Sequence, residues 1–258
     1  MRPPVVPAPR VHGRPLVLGH RGASALAPEN TLAAFQLALA GGADGVELDV
    51  WRCGSGEAVV IHDEDTARTG QSPASVVRTP LRLLRELDVG RWRGEPFRGE
   101  RIPTLPEVLD AFPSAVVNVE MKSGLVPDLG LAREVARTLR QHQAEPRVVV
   151  SSFHAGLLAA FRVLAPDVAA GVLVEPGAIQ QAGAAAAIRA LRPASIHPAR
   201  QLVTSERMAS WRRAGLRVLV WTVDDPAEVE RLASMGVDAV VSNAPGVARD
   251  AVRRATGR

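Results

Sequence analysis

Short, β-branched apolar runs recur along this chain, each ending in a polar or charged residue, with helical patterns between most of them. They lie at 15–20 (PLVLGH), 45–50 (GVELDV), 58–63 (AVVIHD), 115–122 (AVVNVEMK), 147–153 (RVVVSSF), 168–175 (VAAGVLVE), 194–198 (ASIHP), 217–223 (RVLVWTV) and 238–243 (DAVVSN). Near-continuous apolar runs suit strands buried on both faces of a parallel sheet. The intervening stretches include NTLAAFQLALAGG, DLGLAREVARTLRQH and PAEVERLASMG, which carry helical periodicity. In the first, Asn30 or Thr31 is the N-cap and Gly41 the stop. Such alternation predicts a parallel α/β fold. The chain has 258 residues, and roughly 250 is the usual size of a (β/α)8 TIM barrel, which is the fold expected.

Nine runs are one more than a barrel needs. The link between Val50 and Ala58, WRCGSGE, is too short for a crossover, which takes about a dozen residues or more. Either one of this pair is a hairpin arm or a weaker later run lies outside the barrel. The segment 64–104, rich in Arg, Gly and Pro, breaks the rhythm. It reads as a small, lid-like insertion after the third strand, within a single barrel domain spanning 16–258. The lead at 1–15, MRPPVVPAPRVHGRP, is Pro-rich and reads as disordered; without an apolar h-region it is not a signal peptide.

Composition narrows the partners. The formal charge is +4, which suits an anionic substrate, but no block of basic residues marks a nucleic-acid tail. No apolar run reaches about 18 residues, so no stable membrane insertion is expected and the cytoplasm is the default compartment. Cys53 is the single cysteine, which excludes an intrachain disulfide and cysteine-based zinc spacing; it reads as a small residue near a turn.

In a TIM barrel, polar residues at the C-terminal strand ends face the active-site mouth. Four successive runs end in His20 and Arg21, Glu47 and Asp49, His62 and Asp63, and Glu120 and Lys122. Ionisable groups in apolar frames are costly unless paired or metal-bound. Glu47 and Asp49, two apart on a strand, share a face, as do Glu120 and Lys122. Three converging carboxylates call for a cation, and an all-oxygen set selects Mg²⁺, Ca²⁺ or Mn²⁺; the competing expectation is that they pair with arginines across the barrel. Lys122 is the only lysine in the chain, which points to a position needing a compact ammonium rather than a planar fork. His20 and His62 beside these groups suit acid–base work near neutral pH. His12 and His142 read as surface residues, His154 as a helix start, and His197 as a possible mouth residue.

The pieces HRGASALAPENT, GVELDV, VVIHDE, VNVEMKSG, VVVSSF and VLVWTVDDP, in this order, resemble the motif series of the glycerophosphodiester phosphodiesterases. The resemblance runs from about Leu16 to Pro245. It implies a TIM barrel and metal-dependent hydrolysis of small glycerophosphodiesters to glycerol 3-phosphate and an alcohol. By matching position, His20 and His62 would be the catalytic histidines, and Glu47, Asp49 and Glu120 the ligands of one divalent cation. Arg21 and Lys122 would contact the phosphate, with water or a substrate hydroxyl as nucleophile. At the last strand, where the family ends in a Thr-Asp-x-Pro-like motif, this chain has Ser242, Asn243, Ala244 and Pro245, so the charge is lost.

Other positions are weighed around this set. Gly22 is expected to let the backbone approach the ligand. Glu29 and Asn30 either support the site or cap the first helix. Phe153, Trp92 and Trp221 are candidates for an apolar wall that receives the glycerol or alcohol portion. Two other functions compete: phospholipase D-like hydrolysis of lysophospholipids or sphingolipids, and a non-catalytic phosphate-ester-binding barrel.

Overall fold

The computed structural model describes residues 13–257. Its sheet contains β1 (Leu16–His20), β2 (Gly45–Arg52), β3 (Ala58–Val60), β4 (Val116–Met121), β5 (Val148–Ser152), β6 (Ala169–Val174), β7 (Ser195–Pro198), β8 (Arg217–Val220) and β9 (Ala239–Ser242). All but β3 pair in parallel, in the order β1-β9-β8-β7-β6-β5-β4-β2, and β1 also pairs with β2. The sheet is therefore closed, and the fold is the expected (β/α)8 TIM barrel.

Period-two geometry divides the strand residues between two environments. Val46, Leu48 and Val50 of β2, Val117, Val119 and Met121 of β4, and Val218 and Val220 of β8 join the core packed against the helices. The alternate residues point inward. At the base, Leu16, Leu18, Leu219, Ala239 and Val241 fill the barrel axis. Higher up, the same inward rows become polar: His20 follows Leu18, Glu47 and Asp49 follow Gly45, and Asn118 and Glu120 follow Val116.

The ninth strand is the hairpin arm. β2 overshoots the barrel rim, and β3 returns antiparallel to it, pairing Val50 with Val60 and Arg52 with Ala58. His62 and Asp63 thus hang from a descending arm and do not end a barrel strand, which corrects the view of four equivalent strand ends. The segment that follows is anchored by its own apolar cluster: Trp51, Cys53, Val59 and Ile61 from the hairpin pack against Val76, Leu84, Val89 and Ile102. Cys53 belongs to that cluster.

Most of the expected lead, residues 1–12, lies outside the described residues. Arg14 is buried, and its guanidinium makes two hydrogen bonds to Asp44, at 2.9 and 2.7 Å. Asp44 also accepts from the Val17 backbone N–H at 2.8 Å and from Arg249 of the last helix at 3.1 Å. One carboxylate therefore ties the chain start, β1 and the C-terminal helix at the base of the barrel. Truncating one member of a buried ion-pair network costs about 3 kcal/mol or more. Asp44→Ala should lower unfolding stability by about that amount, read by urea denaturation, while leaving the mouth intact.

Candidate active site

The loop from β1 to the helix Leu32–Ala40 shapes one side of the mouth. Thr31 caps that helix, accepting from the Ala34 N–H at 3.2 Å. Asn30 is therefore free for another task. It adopts φ 57° and donates its amide to Asp49 Oδ2 at 2.9 Å, while its carbonyl oxygen accepts from the Asp49 N–H at 3.3 Å. Arg21 sits at φ 54°, a left-handed conformation that non-glycine residues adopt rarely. This turns its N–H onto Glu47 Oε2 at 3.0 Å and its guanidinium toward Glu29 (2.8 Å) and Asp49 (3.3 Å). Gly22 has a packing role in this loop. At φ +86° its missing Cβ would fall 2.6 Å from the Ala34 carbonyl carbon, so the glycine serves close packing of loop on helix.

β2 and β4 bring Glu47, Asp49 and Glu120 together, with one ligand oxygen from each within 4.8 Å of the others, and all three are buried. Lys122 Nζ lies 3.1 Å from Asp49 and 2.6 Å from Glu120. The charge environment is unequal. Burial works to raise Asp49, but Lys122, Arg21 and His62 outweigh it and hold its pKa at about 2. Burial, then repulsion from Asp49, push Glu120 up to about 7 against the pull of Lys122. Burial and the charges of Asp49 and Glu120 raise Glu47 well above the carboxylate range. The competing expectation of pairing with arginines is met for Asp49 alone, through Arg21; Glu120 pairs with Lys122, and Glu47 accepts from the Arg21 backbone N–H. This buried surplus of carboxylate oxygens, two of them with raised pKa values, has the donor chemistry that fits a hard divalent cation.

Both imidazoles are anchored through Nδ1. His20 Nδ1 lies 2.7 Å from Asn243 Oδ1. An amide oxygen has no proton to give, so Nδ1 carries the hydrogen and Nε2 presents its lone pair. The Asn243 amide group is oriented by its own bond to Asp224 at 2.6 Å, and the Ser24 hydroxyl lies 2.7 Å from the same Oδ1. His62 Nδ1 lies 2.7 Å from Asp63, leaving its Nε2 free in the same way. Asp63 bonds Arg68 at 2.7 Å, and Arg68 bonds Glu29 at 2.7 Å, which closes a chain back to Arg21. Burial, followed by the charge of Arg21, lowers the pKa of His20; burial lowers His62 against the charge of Asp49.

Eight of the nominated residues line one cavity of about 70 Å³ at the mouth: His20, Arg21, Glu47, His62, Glu120, Lys122, Phe153 and Trp221. Phe153 and Trp221 meet edge to face at 5.6 Å between ring centroids. Trp92 is elsewhere; its indole donates to the Val89 carbonyl within the inserted segment. Glu29 and Asn30 support the site, since neither caps the helix.

The structure adds residues that sequence reasoning passed over. Asn243, read as the loss of a charge, anchors His20. Asn118 lines the cavity, and its buried Oδ1 has no partner; the same-face spacing that marked Glu120 and Lys122 extends back to it. Arg68, in the insertion, was one arginine among many, and only the fold brings it to Glu29 and Asp63.

The glycerophosphoryl diester phosphodiesterase family model matches residues 20–247. The chain belongs to this family. A glycerophosphodiester phosphodiesterase from Caldanaerobacter subterraneus subsp. tengcongensis is 36% identical over 241 residues, covering 93% of this chain and 98% of the relative. A solved phosphodiesterase from Oleispira antarctica, in complex with the product sn-glycerol-3-phosphate, is 32% identical with a TM-score of 0.84, covering 93% of this chain and 97% of that one. A glycerophosphodiester phosphodiesterase structure from Thermotoga maritima is 28% identical with a TM-score of 0.76, covering 93% and 99%.

In this phosphodiesterase-family chain His197 also lines the mouth cavity, but it is almost wholly buried, with Nε2 2.9 Å from Ser195 Oγ. Burial lowers its pKa from 6.5 to about 3. Below pH 6.5 the unfolded chain therefore binds a proton that the native chain refuses. The stabilising contribution is complete above that pH and is lost as pH falls toward 3, at about 1.4 kcal/mol per unit. Between pH 7 and 5 the wild type should lose about 2 kcal/mol more stability than His197→Gln, measured by urea denaturation. An equal loss in both would show that this imidazole titrates freely in the folded protein.

Proposed function

We propose that the chain hydrolyses soluble glycerophosphodiesters to glycerol 3-phosphate and an alcohol, using His20 and His62 as an acid–base pair and one divalent cation held by Glu47, Asp49 and Glu120. One observation carries this reading. Two imidazoles, each anchored at Nδ1 with Nε2 free, share one cavity with a carboxylate cluster and two cationic side chains. The family membership and the Oleispira relative's bound product support it.

The diester bears one negative charge, and its hydrolysis builds more on the phosphoryl oxygens. Glu47, Asp49 and Glu120 would hold a divalent cation, Mg²⁺ or Ca²⁺ with Mn²⁺ as a third option, which would supply Lewis-acid stabilisation of that charge. Arg21 and Lys122 add fixed positive charge beside it. Both are already oriented by carboxylates, so little reorganisation accompanies the reaction. One imidazole, neutral with its hydrogen on Nδ1, takes the proton of the attacking hydroxyl at Nε2, and the other, starting as the imidazolium with both nitrogens protonated, delivers its Nε2 proton to the departing alkoxide. The Asn243 and Asp63 contacts at Nδ1 hold each ring with Nε2 facing the substrate. Phe153 and Trp221 present the apolar wall on which the carbon skeleton of the substrate rests.

Exhaustive chelation should abolish release of glycerol 3-phosphate from a soluble diester, and added Mg²⁺ or Ca²⁺ should restore it; full turnover in excess chelator overturns the metal assignment. His20→Ala and His62→Ala should each lower kcat by about 100-fold or more with near-wild-type melting, whereas His142→Ala, whose imidazole bonds only Asp110 at the surface, should keep wild-type kcat.

Lys122→Arg tests the single lysine. Its ammonium fits between Asp49 and Glu120, where a guanidinium is larger and needs a planar partner. The variant should fold and lose roughly tenfold or more in kcat, with a smaller change in KM, because the charge matters most in the transition state. Wild-type kcat would show that any cation serves there.

A further inference from the structure

The two imidazoles of the mouth are not held alike. His20 ends a barrel strand and is anchored by Asn243, directly after β9. His62 lies two residues beyond β3, outside the barrel, so no strand ladder fixes it. Its backbone is tied down, since the Ile61 N–H donates to the Asp49 carbonyl at 3.0 Å and the Trp51 indole donates to the His62 carbonyl at 2.9 Å. Among the described residues its ring bonds only Asp63, at 2.7 Å. Asp63 is the next residue along the chain and is half-buried, so its carboxylate needs an anchor of its own.

Arg68 of the inserted segment supplies that anchor. Its Nε donates to Asp63 Oδ2 at 2.7 Å, while Nη1 and Nη2 donate to Glu29 Oε2 and Oε1 at 2.7 and 2.9 Å. Glu29 Oε1 also accepts from Arg21 Nη1 at 2.8 Å. The turn that carries Arg68 is fixed. Thr66 is buried; its hydroxyl donates to the Ser72 carbonyl and accepts from the Ala74 N–H at 3.1 Å, and Asp65 bridges to Ser75. Arg68 does not line the mouth cavity.

We propose that Arg68 is a positioning residue for the hydrolysis: through Asp63 it orients His62, and through Glu29 it orients Arg21, so that both face one phosphate. The assignment rests on the diesterase reading above. A guanidinium presents its donors in one rigid plane, and three bonds from it fix both carboxylates at once. Asp63 then keeps Oδ1 on His62 Nδ1, and Glu29 keeps its oxygen on Arg21. The fold gains little from this, because the Arg68 side chain is 46% exposed and such ion pairs contribute about 1 kcal/mol or less. Rate is far more sensitive, since a misplacement of about 1 Å can cost about 100-fold.

The test measures kcat, KM and melting for Arg68→Ala and Arg68→Lys on a soluble glycerophosphodiester. Both should melt near the wild type and lose about tenfold or more in kcat, with a smaller change in KM. Lysine keeps the charge but has no planar fork. Guanidinium ion, well below its unfolding range, should enter the open slot in Arg68→Ala and restore part of kcat, where sodium chloride at equal ionic strength does not. Arg85→Ala is the control for the insertion. Arg85 pairs with Glu107 and does not line the mouth, so this variant should keep wild-type kcat. Wild-type kcat in either Arg68 variant, a loss that guanidinium leaves unmoved, or an equal loss in Arg85→Ala overturns the assignment while the diesterase reading stands. A wild type that hydrolyses no soluble glycerophosphodiester overturns both.

Discussion

The site depends on strand register. Closure of the barrel pairs His20 of β1 with Glu47 of β2, and the next ladder pairs Asp49 of β2 with Glu120 of β4. Those two pairings set an imidazole beside the carboxylates and the carboxylates beside one another. A slip of one residue in β2 would turn Glu47 and Asp49 toward the helices and aim Leu48 at the mouth. The apolar residues that alternate with them prevent this. Val46, Leu48 and Val50 are buried against the helical layer, so the packing that stabilises the barrel also aims its polar residues.

Burying three carboxylates is the main energetic burden of this arrangement, and Asp49 is where it is met. Its side chain takes the Asn30 amide and the Arg21 and Lys122 charges, and its pKa falls accordingly. Glu47 and Glu120 bear the remaining repulsion. Arg21 and Asn30 reach these groups only because both adopt positive φ, a local strain of the kind found at functional sites. The loop 21–30 is therefore shaped by the charges it serves, and Gly22, packed against Ala34, lets it lie close to the helix.

Much of this was legible from residues. The β-branched runs gave the strands, and the inward row of β2 was readable from period two because both neighbours of Asp49 are plain hydrophobes. The placement of His62 was not. Its run looks like the others, and only pairing shows that β3 runs back along β2 and never enters the barrel. Asn243 was misread for a related reason: its charge was judged, whereas its carbonyl oxygen does the positioning. Arg68 carried no signal at all, since its partners Glu29 and Asp63 come from separate segments.

By itself the sequence determined the barrel and the residue types that end its runs, because alternation and apolar runs are local properties of the chain. Tertiary structure decided which of those ends meet. It placed the β3 arm outside the barrel and hung His62 from it. It assigned Asn30 to Asp49 and the helix cap to Thr31. Each of these depends on distances between segments far apart in the chain, and those are set by sheet closure and helix packing.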